Sequence, residues 1–97
     1  MIFAELEYEE DYEDFHDELL SFVNRHFSEV ESALQGDSCI WISDGEERVA
    51  VDTLTSMKHQ IKSARAGEHV ERVIEVLSRK FRLRVLEAPE LEPHEDE

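Results

Sequence analysis

Apolar residues along this 97-residue chain change their spacing several times, and each change limits what the segment can become. Ile2, Ala4, Leu6 and Tyr8 fall on one side of an alternation, with Phe3, Glu5 and Glu7 on the other. Period two with one apolar side describes a half-buried strand. The acidic cluster from Glu9 to Asp14 breaks the alternation and opens a helix, with Asp11 as the expected N-cap. Acids in a first turn complement the helix dipole. Phe15, Leu19, Phe22, Val23, His26 or Phe27, and Val30 then recur at helical spacing. That stripe predicts one continuous helix, ended by Gln35-Gly36-Asp37.

Two short β-branched segments follow, Cys39–Ser43 and Arg48–Asp52, with Asp44-Gly45 between them. Asp-Gly flanked by such runs is a tight-turn signal, so the pair is expected to form a hairpin. Met57, His59, Ile61 and Ser63 alternate with polar residues, which suggests a third strand, with a short helix nearly as defensible. Gly67 opens a second helix whose Val70, Val73, Ile74, Leu77 and Phe81 share a face. Glu68 and Glu71 at its start and Arg79 and Lys80 at its end suit the dipole, and Glu75 to Arg79 is a favourable i,i+4 pair. Arg82–Val85 alternates as a final strand.

This order predicts an α+β fold. It is a two-layer sandwich with a mostly antiparallel sheet of four or five strands and two helices on one face, a variant of the split βαβ (ferredoxin-like) arrangement. The first strand then lies inside the sheet, where Glu5 and Glu7 can meet Arg82 and Arg84 on one side and Arg48 on the other. Residues 1–86 make one domain. Residues 87–97, with two prolines and unopposed acids, read as a disordered acidic tail.

Charge is segregated along the chain, whose formal net charge is −15. Residues 1–24 carry Glu5, Glu7, Glu9, Glu10, Asp11, Glu13, Asp14, Asp17 and Glu18 and no Lys or Arg. Residues 87–97 carry six more acids and no base, whereas residues 25–86 are neutral. Such a surface repels nucleic-acid phosphates and anionic membranes and attracts basic proteins. No stretch approaches the ~18–20 apolar residues that span a bilayer. The N-terminal residues lack a basic n-region, and Cys39 is the only cysteine, so a cytoplasmic location is expected.

Sites of chemistry are hard to find. Glu13-x-x-His16 matches one half of a di-iron ligand set, but the second helix supplies no counterpart. No two histidines have the helical zinc spacing, and a lone Cys39 builds no thiolate site. Cys39 has no neighbouring cation or glycine elbow to activate it. Gly36, Gly45 and Gly67 sit at turns or caps, leaving no phosphate-cradling loop. Lys58, Lys62 and Arg65 form a local basic spot, expected to pair internally with the acidic first helix or strand.

No catalytic residue, cofactor or metal ligand is therefore expected. The chain reads as a small acidic, non-enzymatic interaction or regulatory domain that docks onto a basic partner protein, as an inhibitor, an immunity-type antidote, an adaptor or a mimic of nucleic acid. The residues proposed to carry that contact are Asp14, Asp17 and Glu18 of the first helix, which steer the partner, and Phe3 and Trp41, which anchor it from the outer sheet face. A dimer mate or the tail could equally cover that face. The alternative, from another class, is a regulatory domain that binds a small molecule or metal.

Overall fold

The alternating N-terminal segment becomes an inner strand of a six-stranded sheet. In this computed structural model, residues 1–92 are described. They form β1 (Ile2–Glu7), α1 (Tyr12–His26), β2 (Val30–Gln35), β3 (Asp37–Asp44), β4 (Glu47–Asp52), β5 (Gln60–Lys62), α2 (Glu68–Ser78) and β6 (Arg82–Glu90). Spatial order is β2-β3-β4-β5-β1-β6, and every neighbouring pair is antiparallel. Both helices contribute to one core on a single face of the sheet, so the α+β class holds. The strand number does not: there are six rather than four or five, and three strands separate β1 from β2.

The added strand is β2, which lies where the first helix was expected to continue. α1 ends at His26, and Phe27 turns extended (φ −132°, ψ 142°) while its N–H still bonds the Val23 carbonyl at 2.9 Å. Val30, Ala33 and Leu34 happen to continue the helical spacing. At the sheet edge, however, β2 buries neither face and so carries no alternation of its own. Elsewhere the local signals agree with the structure. Asp11 (φ −69°, ψ 149°) caps α1 through its carbonyl, which accepts from the N–H groups of Asp14 and Phe15 at 3.0 Å. The hairpin joins β3 and β4 through Gly45-Glu46, and Gly45 at φ 65° takes the first central position of a II′-type turn.

Phe15, Leu19, Phe22 and Val23 of α1 and Val70, Val73, Val76 and Leu77 of α2 press on Ala4, Leu6, Ile40, Ile42, Val49, Val51 and Ile61. Each fully buried Leu, Ile, Val or Phe stabilises by roughly 1.5–3 kcal/mol. A bulge between Ile2 and Ala4 turns Phe3 onto this same face, where it joins the core. The expectation that Phe3 projects from the outer face is therefore corrected. Ile2 takes that outer face instead, opposite Lys62.

The segment 87–97 also begins differently from the expected tail. β6 runs on through Glu90, which pairs with Ile2, and Glu92 is buried. Residues 93–97 of that expected tail lie outside the described residues. At 57–63 only Gln60–Lys62 are strand, too short to have imposed a clear pattern.

Candidate functional site

Three polar regions stand apart from the apolar core. The first is the outer face of α1. Glu13, Asp14, Asp17 and Glu18 are all exposed there, because the buried stripe occupies the opposite side. Lys80 approaches Glu18 at 3.7 Å. Among the described residues no base lies within ion-pair distance of Glu13, Asp14 or Asp17. A cleft of about 400 Å³ at the start of the helix is lined by Glu10, Asp11, Tyr12, Glu13, Asp14, Met57 and Lys58. Lys58 crosses it, with its ammonium 3.2 Å from the Glu10 carbonyl and 4.3 Å from the centre of the Tyr8 ring.

The second region is the sheet face opposite the helices. Trp41 is half-buried there, with the Arg48 guanidinium 5.2 Å from its ring centre. Arg48 also meets Glu31 at 3.8 Å, not a carboxylate of β1 as the charge pattern suggested. Glu5 does face Arg84, at 3.8 Å, and Glu7 stands opposite Arg82. Trp41, Arg48, Ala50, Asp52, Lys62 and Glu92 help to line a concavity of about 310 Å³. Its floor is an ion triad in which Lys62 Nζ lies 2.6 Å from Asp52 and 2.9 Å from Glu92. Burial alone would lower the Lys62 pKa, but hydrogen bonds to both carboxylates outweigh it and hold the ammonium above its usual range. Cys39, also on this face, is buried, and desolvation with Asp52 and Asp37 nearby pushes its thiol up, away from reactivity.

The third region was not anticipated. Beneath α1, Ser38 Oγ sits between His16 Nδ1 (2.5 Å) and His59 Nε2 (2.7 Å), and His59 Nδ1 reaches the Tyr8 hydroxyl at 2.8 Å. Burial, with His16 adding to it, pushes the His59 pKa down to about 4, so the ring is neutral near pH 7. Desolvation raises Tyr8 to about 12. A serine between two imidazoles could suggest nucleophilic catalysis. Ser38 and His59 are fully enclosed, though, and His16 nearly so, so no substrate reaches the oxygen. The group is a satisfied polar knot. His16 could have been placed in it from spacing alone, since it precedes Leu19 by three residues and Val23 by seven on the buried side. His59 could not, because its partners lie far off in sequence.

The five residues singled out from the sequence do not form one surface. Asp14, Asp17 and Glu18 lie on the helical side, Trp41 on the opposite sheet face, and Phe3 in the core between. Among the described residues no group of three or more His, Cys, Asp or Glu side chains could hold a metal ion, and no helix is long and apolar enough to cross a membrane. No protein-family model, curated protein or solved structure matches the chain significantly.

Proposed function

We propose that this chain is a non-enzymatic, cytoplasmic interaction domain that docks onto a basic partner protein through the acidic side of α1. One observation carries the reading: among the described residues six of the bases lie within ion-pair distance of an acid, none of these acids being Glu13, Asp14 or Asp17. Arg48 meets Glu31, Lys62 meets Asp52 and Glu92, Arg65 meets Glu47, Arg79 meets Glu75, Lys80 meets Glu18, and Arg84 meets Glu5. Glu13, Asp14 and Asp17 form an exposed acidic group beside Glu10 and Asp11, with Lys58 the one base among the described residues that lines the cleft at the start of the helix. Such a field accelerates encounter with a positive surface and fades as salt shortens the Debye length below about 8 Å.

The test is capture from a lysate of the source organism at low and high salt, using the chain and its Asp14→Asn/Asp17→Asn/Glu18→Gln variant. Basic proteins retained only by the parent chain and only at low salt support the reading. Association that ignores both salt and the substitutions overturns it.

A second reading has one feature in its favour. The concavity around Trp41 falls at the lower end of the volumes that hold small ligands. Its floor is already occupied by mutually paired charges, which leaves little unmet polarity for a ligand. A thermal-shift screen across metals and metabolites decides it, since a true ligand raises Tm by mass action.

A further inference from the structure

The two edges of the sheet are built differently. In β6 the register slips, from Ile2 opposite Glu90 to Ala4 opposite Val85, and the strand carries Pro89, Arg82 and Arg84. Irregular register, proline and exposed bases are devices that block edge pairing. β2 has none of them. Its six residues pair with β3 in unbroken register, and it contains no proline, Lys or Arg.

Its free hydrogen-bonding groups can be assigned. Ser43 N–H donates to the Glu29 carbonyl, and Thr53 N–H donates to the Ser38 carbonyl, both at 3.0 Å. Odd-numbered residues of β3 thus bond β2, and even-numbered ones bond β4. An antiparallel ladder uses alternate residues. Glu31 opposite Trp41 and Ala33 opposite Cys39 therefore exchange bonds with β3. The N–H and C=O of Val30, Ser32 and Leu34 point outward along the edge.

Acids flank that row on both faces. Tyr12 donates its hydroxyl proton to the Gly36 carbonyl, which ties the start of α1 above the β2–β3 turn. Lys80 meets Glu18, and Phe22 packs edge-on against Phe81, so that flank of α1 faces α2 and β6. At 100° per residue Glu13 leans toward the opposite flank, on the β2 side, while Asp17 points away from the sheet, nearly opposite the buried stripe. On the other sheet face Glu31 has 80% of its side chain exposed and shares its charge with an exposed Arg48 3.8 Å away.

We propose that the β2 edge takes an extended basic segment of the partner protein as a seventh strand, with backbone bonds to Val30, Ser32 and Leu34 and Lys or Arg side chains against Glu13 and Glu31. This rests on the proposed function and specifies how the partner is held. A second copy of the chain is the poorer occupant, because each copy carries −15 and self-pairing would bring two acidic flanks together.

The probe is a ten-residue peptide alternating lysine and valine, with a glutamate–valine peptide as control. By NMR at low salt, the lysine peptide is expected to protect the amides of Val30, Ser32 and Leu34 from exchange, and the glutamate peptide to do nothing. Ser32→Pro removes an outward N–H without touching the β3 ladder, and is expected to weaken binding roughly tenfold or more. Should that variant fold poorly by circular dichroism, Leu34→Lys tests the same edge by repulsion. Peptide binding that survives both changes and leaves those three amides unprotected overturns the edge site while leaving a basic partner in place. Failure of the lysine peptide to bind, together with loss of salt-sensitive capture of basic proteins, overturns both. A chain that dimerises through β2 in sedimentation overturns the choice of occupant.

Discussion

The Lys62 ammonium and the Asp52 carboxylate meet at 2.6 Å on the outer sheet face, with only 5% and 4% of their side chains exposed. Glu92 completes the group from the C-terminal segment, and Asp52 also accepts from the Leu54 N–H at 3.2 Å. A lysine this deeply desolvated stays charged because two carboxylates face it. The arrangement therefore depends on all three members being present.

Removing only the cation leaves two buried carboxylates opposed. Lys62→Met is expected to destabilise by about 3–5 kcal/mol. Adding Asp52→Asn and Glu92→Gln to it should recover part of that loss, because two like charges then no longer face each other in a desolvated site. Urea unfolding of the single and triple variants checks the order; a triple variant weaker than Lys62→Met contradicts it.

Acid should loosen the fold through His59. Its folded pKa, about 4, is below the ordinary 6.5, so the native state binds fewer protons than the unfolded chain between those values. Stability tied to this ring is complete above pH 6.5 and is lost as pH falls toward 4, about 3 kcal/mol in all. The groups facing it are His16, Ser38 and Tyr8. An NMR titration in which the His59 imidazole protonates near pH 6.5 in the folded protein would refute this.

Gly67 precedes α2 because of His69. A Cβ there would lie 2.8 Å from the His69 ring, which is buried and bonded to Ser63 Oγ at 3.0 Å. Gly67→Ala should cost about 1–3 kcal/mol, since the ring must shift out of a packed site. Thermal unfolding measures it, and an unchanged Tm would show that the ring yields freely.

Phe3 and Trp41, which alternation alone puts together on the outer face, should respond unequally to truncation. Phe3→Ala removes a core side chain and is expected to cost about 3–5 kcal/mol. Trp41→Ala empties a half-buried position on the outer face and should cost clearly less. Equal losses would place both in the core.

Much of this architecture was legible because it is local. The alternation of β1, the apolar stripe of α1, the Asp44-Gly45 turn and the pairing of Glu75 in α2 with Arg79 at its C-cap, 2.9 Å apart, each involve residues close in sequence. β2 escaped because an edge strand with two exposed faces has no periodic pattern to read. Phe3 was misplaced because a bulge reverses the facing of a strand, and the bulge arises from pairing with β5 and β6.

By itself the sequence determined the class of fold, the start of both helices, the neutral middle and the excess of acids near the ends. Tertiary structure alone decided which acids remain unpaired. It set Lys62 between Asp52 and Glu92, brought Ser38 between two histidines, and put Trp41 and the α1 acids on opposite sides of the sheet. The physical reason is that periodicity records whether a residue faces a core. Charge compensation and edge exposure depend instead on partners ten or more residues away, which only the assembled sheet brings together.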